Sequence, residues 1–394
     1  YQFSARGHDM AQVLLGLQLT HPKDAVCGYY RSRPLLLALG VALEDALGSA
    51  MGRAGGYSDG RDIGVVFNYP NAKGASALPM CGGVGAQYTP TAGYAQAIEY
   101  SKNVLGDRAF DGAISVVLGG DASVATNGFW SALTMATTLK LPMLFYIEDN
   151  GYGISTPGWL QTPGCNIAKN LASFEGLHVL DGDGTDPVVA ADLIGQAVAH
   201  VRGGMGPALL RLNVPRLQGH SFQDTQAYKS EDEKAAEWAR DPLPKLKAHL
   251  VPAHISEADW QKLEQDASDR VRRAAQVADQ RPVSNPADVT RFVFSEDGAL
   301  LYEFERNAGR YTAFRFKRVL SFGLQTDQKP VSITQETESA RVPILKTTVR
   351  YPKVTLELRA FGHQHGEQRL PQQWFLPEEP PQEGVGVQRQ QLVP

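Results

Sequence analysis

The sequence predicts an α/β protein built on a parallel sheet with helices on both faces, followed by a β-rich C-terminal region. Three observations predict it. Residues 1 to about 216 alternate helical and strand-like patterns, two apolar runs are short and rich in β-branched or aromatic residues, and each run leads directly into an acidic turn. Such alternation marks a sheet whose strands are joined by crossover helices. A short apolar run without polar alternation reads as a strand covered on both faces. With 394 residues the chain can bury a substantial core and form more than one domain.

The first run, Ala113 to Leu118, closes on Gly119-Gly120, which puts Asp121 just beyond a strand's carboxyl end. Thr126 or Asn127 then caps a helix in which Phe129, Trp130, Leu133, Met135 and Ala136 recur at roughly helical spacing, ending near Lys140. Residues Pro142 to Ile147 form the second strand, followed by Glu148-Asp149-Asn150-Gly151-Tyr152. In a βαβ unit the crossover is right-handed, so both strand ends lie on the sheet edge where open α/β folds bind ligands. Magnesium takes hard oxygen ligands and usually one or two carboxylates, a pattern that Asp121, Asn150 and a backbone carbonyl suit. Asp and Asn as simple turn formers account for the same spacing.

A third strand spans Ala208 to Val214, and a polar stretch leads from it to C-terminal helices. Ser256 caps one of these, with Asp259 in its first turn and Trp260 and Leu263 on an apolar face. Pro and polar residues at 280 to 288 mark a boundary. Beyond it, residues 289 to 351 carry period-two segments, with a hairpin signal at Asp297-Gly298. The end is rich in Gln, Pro and Glu and is expected to be loose or disordered. The expected division is 1–282, 283–351 and 352–394.

Composition narrows the function. A formal net charge of −4 and a pI near 6.2 give no basis for nucleic-acid binding. No apolar run is long enough to span a membrane, and no signal-peptide pattern is seen. The chain starts at Tyr1 without an initiator Met, so an upstream piece is expected. Cys27, Cys81 and Cys165 have no metal-ligand spacing and are odd in number, which fits a reducing compartment. The cytoplasm, or the mitochondrial matrix in a eukaryote, is the expected location, with Cys81 a small buried residue. Gly83-Val84-Gly85 is followed by Tyr88 and lacks the third glycine of a dinucleotide loop; no phosphate-binding Walker sequence occurs.

Several segments together resemble a known family. "LGGDASVATNGFW" at 118 to 130, "LFYIEDNGYGIST" at 144 to 156, "GYYRSRPLLLALG" at 28 to 40, "CGGVGAQYTPTAGYAQAIEY" at 81 to 100 and "LQGHSFQDTQAYKSEDE" at 217 to 233 are similar to the alpha subunits of thiamine diphosphate-dependent 2-oxo acid dehydrogenases. These are the E1 components of the pyruvate and branched-chain complexes, and the likeness runs from about Tyr1 to about Gln280. It implies the thiamine diphosphate-binding fold. By that pattern the metal contacts are Asp121, Asn150 and the Tyr152 carbonyl, and the diphosphate is held by Tyr30 and Arg31. Gly82 and Val84 meet the aminopyrimidine ring, and Gly120, Ala122 and Glu148 complete the cofactor set. His220 becomes the catalytic histidine, and Ser221 stands where some relatives are phosphorylated.

The chemistry is sound independently. A guanidinium fork matches phosphate oxygens, and an imidazole can donate a hydrogen bond or exchange a proton near neutrality. Two residues depart from the family pattern: Ala122 replaces a Gly and Asp149 replaces an Asn. A Cβ at 122 is expected to tighten the cofactor pocket. A carboxylate at 149 is expected either to raise metal affinity or to repel the diphosphate.

The resemblance thus implies thiamine diphosphate and Mg2+ as cofactors for oxidative decarboxylation of a 2-oxo acid, the cofactor supplying the hard chemistry. It further implies acyl transfer to the lipoyl group of an E2 acyltransferase. In the family the Glu that activates the aminopyrimidine belongs to the E1 beta subunit, and no Glu here stands out as a replacement, so an α2β2 heterotetramer is expected. The Tyr-Tyr-Arg segment leans towards branched-chain substrates such as 3-methyl-2-oxobutanoate. Gly219-His220-Ser221 leans towards pyruvate, and acetoin dehydrogenation is a third reading. From outside this class, Ala122, Asp149 and the unmatched C-terminal region motivate a non-catalytic cofactor-binding or assembly subunit. A nicotinamide oxidoreductase is disfavoured by the glycine spacing.

Overall fold

Strands that alternate apolar residues between two helical layers define the first half of the molecule. A computed structural model describes residues 3–57, 59–60, 68–71 and 74–284, and the segments 293–294, 300–305, 315–320, 329–337 and 345–360. The chain divides into two compact units, 1–284 and 285–394.

In the first unit, α1 (Asp9–Gln18) precedes β1 (Ala25–Cys27), α2 (Arg33–Ala38), α3 (Leu43–Ala50) and β2 (Ser76–Ala77). Next come α4 (Tyr88–Asn103), β3 (Ser115–Gly120), α5 (Asn127–Leu139) and β4 (Met143–Asp149). A two-residue hairpin, β5 (Tyr152–Gly153) and β6 (Thr156–Pro157), leads to α6 (Ile167–Asn170), β7 (His178–Asp183), α7 (Pro187–Arg202) and β8 (Ala208–Asn213). The helices α8 (Glu231–Trp238), α9 (Pro242–Leu250) and α10 (Glu257–Gln280) close the unit.

Six strands form one sheet in the order β2-β1-β3-β4-β8-β7, with every pairing parallel. Alternation along the strands sorts the core in two. Val116, Leu118, Leu144, Tyr146 and Leu210 join Leu15, Leu35 and Ile194 on one face. Val117, Phe145, Ile147 and Leu209 join Phe129 and Leu133 on the other. Each fully buried Leu, Ile or Phe contributes about 1.5–3 kcal/mol over leaving it in water, so a slip of one residue in any strand is strongly opposed. The same alternation sends Glu148 towards the first core and Asp149 towards the second.

The expected βαβ unit is present with shifted edges: β3 starts two residues later and β4 extends to Asp149. The Thr126 side chain accepts from the Phe129 N–H at the start of α5, and Lys140 ends it in the left-handed conformation. The buried stripe of α5 is Phe129, Ala132, Leu133 and Ala136; Trp130 and Met135 lie off it and are exposed. Ser256 and Asp259 form a reciprocal cap on α10, whose buried stripe is Trp260, Ala274 and Ala278; Leu263 lies off that stripe and is exposed, contrary to expectation. Cys81 is exposed as well, on a loop that no element covers.

The second unit holds two antiparallel three-stranded sheets. One contains β9 (Val293–Phe294), β10 (Leu300–Glu305) and β11 (Arg315–Leu320); the other contains β12 (Ser332–Thr337), β13 (Leu345–Arg350) and β14 (Thr355–Ala360). The strands flanking Asp297-Gly298 pair antiparallel, while that turn and the Gln- and Pro-rich tail lie outside the described residues.

Gly119 has no room for a side chain, since a Cβ there would collide with the Tyr88 hydroxyl and the Ser123 Oγ, which hydrogen-bond at 2.6 Å. Gly119→Ala should therefore destabilise by about 1–3 kcal/mol through overpacking, read as a lower denaturant midpoint at unchanged slope. Gly93→Ala, in α4 with open space around it, should be neutral or stabilising by about 0.5–1 kcal/mol.

Candidate active site

Strand order decides where a ligand can sit. The chain runs from β1 outward to β2, then returns across β1 to β3 and continues to β4, so the β1/β3 boundary is a topological switch point, the position where open α/β sheets bind ligands. Four adjacent strands discharge their carboxyl ends there: β1 into Tyr29-Tyr30-Arg31, β3 into Asp121, β4 into Asp149-Asn150, and β8 into Arg216 and the loop carrying His220.

On the acidic side, Asp121 opens a short 3-10 turn and is 6% exposed. Its Oδ1 accepts from the Asn150 N–H at 3.3 Å, whereas its Oδ2 is buried without a partner. Burial, reinforced by the charge of Asp149, pushes the Asp121 carboxyl up to about 7. Asn150 Oδ1 accepts from the Tyr152 N–H at 3.2 Å and retains a second lone pair. Asp121 and Asn150 are therefore brought together, as their places at neighbouring strand ends predicted. Among the described residues no three His, Cys, Asp or Glu side chains gather as a metal site; one carboxylate and one amide meet here, and Tyr152, whose carbonyl is the third expected donor, follows two residues after Asn150.

Both departures from the family pattern have a local account. The Asp149 carboxylate is held by the Arg211 Nε at 2.7 Å and the Gly151 N–H at 3.0 Å, and Arg211 also bonds Asp181 at 2.7 Å. Asp149 is thus a paired structural charge that acts on Asp121 only through space. The methyl of Ala122 abuts Gly153, whose own Cβ would come within 2.7 Å of it. A glycine in the β5 turn makes room for the missing glycine at 122.

On the basic side two guanidinium groups are sunk in the protein: Arg31 is 2% and Arg216 1% exposed. Arg31 donates to the Ser4 carbonyl and, at 3.2 Å, to the His220 carbonyl. Arg216 donates to the Ile154 carbonyl at 2.8 Å and to the Tyr228 hydroxyl, leaving its Nε and Nη1 without partners. Neither makes an ion pair with a carboxylate among the described residues. The two also oppose each other, since burial and Arg31 both disfavour the charge on Arg216. Sequence reading missed Arg216. Its signal was available, an Arg immediately after a strand ending in Val-Pro and four residues before the candidate His.

The His220 loop is built as a unit. Asp224 accepts from the His220 N–H at 2.6 Å, from the Gln226 N–H at 2.9 Å and from the Tyr228 hydroxyl at 2.7 Å. Gly219 is needed because a Cβ would strike the Asp224 backbone. The His220 ring meets Tyr30 and Phe3 edge-on at 5.4 Å each. Burial, then Arg31 and Arg216, lower its pKa to about 4, so the imidazole is neutral at pH 7. Burial holds the Tyr30 hydroxyl above its ordinary range; Arg31 and Arg216 oppose this and Asp121 adds to it. Tyr30 thus sits within reach of both signs of charge.

The remaining expected residues are spread differently. Gly120 lies at the end of β3 beside the Glu148 carbonyl. Glu148 is fully buried behind the strand ends, accepting from Gln12 and Tyr29. Gly82 and Val84 lie on an exposed loop, open around Gly82, whose next glycine, Gly85, packs on Thr126 at the start of α5. A cleft of about 230 Å³ opens beside Asp121, lined by Asp149, Tyr152, Trp159, Cys165 and Glu233 among others. The Tyr152 hydroxyl donates to Glu233 at 3.1 Å, and the Lys229 ammonium lies 4.7 Å over its ring.

Asp121, with a buried oxygen that lacks a partner, and Arg216, with buried N–H groups that lack one, both act on Tyr30 at the carboxyl edge of a parallel α/β sheet, and such a set could hold a hard cation together with a polyanion. The chain matches the family "Dehydrogenase E1 component" over residues 2–287 and belongs to it. It is 32% identical over 281 residues to the pyruvate dehydrogenase E1 component subunit alpha of Zymomonas mobilis, covering 70% of this chain and 75% of that one. The corresponding subunit of Porphyra purpurea is 27% identical, with 71% and 80% covered. The mitochondrial 2-oxoisovalerate dehydrogenase subunit alpha of Caenorhabditis elegans is 27% identical, with 70% and 62% covered. The family is thiamine diphosphate-dependent, and the chain is an E1 alpha subunit of the 2-oxo acid dehydrogenase type.

Two titrations follow from the site. Asp121 holds a proton in the metal-free native state between about pH 4 and 7 that the unfolded chain has released, so stability falls as pH rises through that window. Metal-free Asp121→Asn should melt higher than wild type at pH 8, by on the order of 2 kcal/mol, with the gap closing towards pH 5. Equal melting at pH 8 contradicts the raised carboxyl. For His220 the sign is opposite: the unfolded chain protonates first, so its contribution is present above pH 6.5 and is lost as pH falls towards 4. Inorganic diphosphate should raise the His220 pKa by offsetting Arg31 and Arg216, seen by NMR of the imidazole. An unchanged value places the anion elsewhere.

Proposed function

We propose that this chain binds the diphosphate end of thiamine diphosphate through Mg2+ and, with an E1 beta partner, oxidatively decarboxylates a 2-oxo acid. We further propose that the acyl group passes to the lipoyl arm of an E2 acyltransferase. The observation that carries the reading is the juxtaposition of Asp121 Oδ2 with the buried, carboxylate-free Arg31 and Arg216 at one switch point. When bound, the cofactor supplies the carbanion chemistry that decarboxylation needs. Asp121, Asn150 and the Tyr152 carbonyl would hold the metal. Tyr30, Arg31 and Arg216 would hold phosphate oxygens, with guanidinium N–H groups suited to paired contacts. Gly120 and Ala122 line the approach, and Gly82 and Val84 would meet the aminopyrimidine end once a partner covers their exposed loop.

In this reading His220 would donate a hydrogen bond to the substrate carboxylate, supported by its ring lying beside Tyr30. Its low pKa keeps it neutral in the empty site, and an anion between Arg31 and Arg216 would bring its titration back towards neutrality. Among the described residues no Glu lines the crevice as a free proton relay: Glu148 is enclosed and Glu233 is engaged by Tyr152 and the α8 cap. That division supports the reading of a partner chain that contributes the activating carboxylate, in an α2β2 assembly.

The substrate we infer is a short 2-oxo acid. The Tyr29-Tyr30-Arg31 segment favours a branched-chain acid such as 3-methyl-2-oxobutanoate. The names of the Zymomonas and Porphyra relatives favour pyruvate, and that reading is kept as the alternative. A dye-linked 2-oxo acid assay on the full chain co-expressed with a candidate beta chain separates them by relative kcat/KM. In that assay Asp121→Ala should abolish cofactor retention, and His220→Ala should spare binding while lowering turnover by about 10²–10⁴-fold. Full turnover in both variants would remove the site assignment.

A further inference from the structure

We propose that His8, backed by Glu148, is a positioning residue that locks the Asn150 side chain with its amide oxygen turned towards the metal position. This rests on the reading of Asp121 and Asn150 as the metal site. An Asn amide can face a site with either end, and only its oxygen can bind a cation. The Tyr152 N–H is a donor, so the Asn150 atom 3.2 Å from it must be Oδ1. The other end, Nδ2, then faces His8 Nε2 at 3.3 Å. Because Nδ2 can only donate, Nε2 must accept, and the ring proton of neutral His8 must sit on Nδ1.

Nδ1 makes no hydrogen bond among the described residues and lies 3.5 Å from the Glu148 Oε2, in a ring wholly shut off from water. Glu148 is an acceptor for every group around it: Gln12 Nε2 at 3.0 and 2.9 Å and the Tyr29 hydroxyl at 2.9 Å. An acceptor-only carboxylate selects the tautomer with Nδ1–H. The chain Glu148, His8, Asn150 therefore has a single consistent polarity, like the carboxylate–histidine pairs that orient ligands behind metal sites.

The backbone is shaped to deliver His8. Gly7 adopts φ +96°, where a Cβ would collide with the Pro215 carbonyl, so α1 begins against the segment leading to Arg216. Glu148 thereby acts through His8, behind the site it was expected to line.

Mn2+ binding by the full chain with thiamine diphosphate, followed by electron paramagnetic resonance, tests this without any turnover. His8→Leu should weaken Mn2+ by about 10–100-fold, while His8→Gln, which offers an acceptor to Asn150 and a donor to Glu148, should stay within about threefold of wild type. Equal loss in both variants, or none in His8→Leu, overturns the positioning role. Asp121→Ala separates the two levels: if it binds Mn2+ like wild type, the site reading itself fails; if it loses Mn2+ while His8→Leu keeps it, only the role of His8 fails. Should His8→Leu not fold, nitrogen NMR of histidine-labelled wild type decides, with the His8 signal identified by its loss in His8→Gln. A proton on Nδ1 supports the proposal and a proton on Nε2 overturns it.

Discussion

Two buried guanidinium groups without a carboxylate between them are the constraint around which the rest of this site is arranged. Charges removed from water are tolerated when paired, and among the described residues Arg31 and Arg216 are answered by carbonyls, a phenol and aromatic faces. Across from them Asp121 keeps one oxygen unsatisfied. Each side offers what a metal–diphosphate would complement: unsatisfied N–H donors on Arg216 and an unsatisfied oxygen on Asp121. Strain of this kind at a binding site, offset by two well-packed cores on either face of the sheet, is the trade expected of an enzyme.

The loops show the same priority. Asp224 accepts three hydrogen bonds that hold the His220 loop, and the Ser230–Glu233 cap fixes α8 so that Glu233 meets Tyr152. His220 is therefore placed by backbone contacts, and its ring is left to neighbouring aromatics and to whatever anion lies between the two arginines. The exposed loop at Gly82 and Val84 has no comparable support within the chain. The Arg31 and Arg216 side of the crevice is buried, and the loop expected to meet the aminopyrimidine is exposed.

Much of this was legible in the sequence because strand ends are written locally. Gly119-Gly120-Asp121 and Asp149-Asn150 each follow an apolar run, so their convergence needed only the handedness of a βαβ unit. The position of Arg216 after a strand was legible and passed over, but its burial was not: Tyr152 and Tyr228 flank it from separate segments. The environment of Glu148 was hidden too, since facing the first core with Gln12, Tyr29 and His8 requires knowing where α1 packs. Ala122 and Asp149 looked like defects until Gly153 and Arg211, distant in sequence, supplied their counterparts. Pattern reading finds the elements and their ends; it does not find the compensations between distant side chains.

The central claim is that Arg31 and Arg216 on one side and Asp121 on the other form a single metal–diphosphate site. Calorimetric titration of the full chain with thiamine diphosphate, with and without Mg2+, tests it most directly when repeated on Arg216→Met. The account predicts Mg2+-dependent binding in wild type and a loss of about 1.5–3 kcal/mol in the variant, the worth of a hydrogen bond to a charged group. Binding that ignores both Mg2+ and the loss of Arg216 would contradict it.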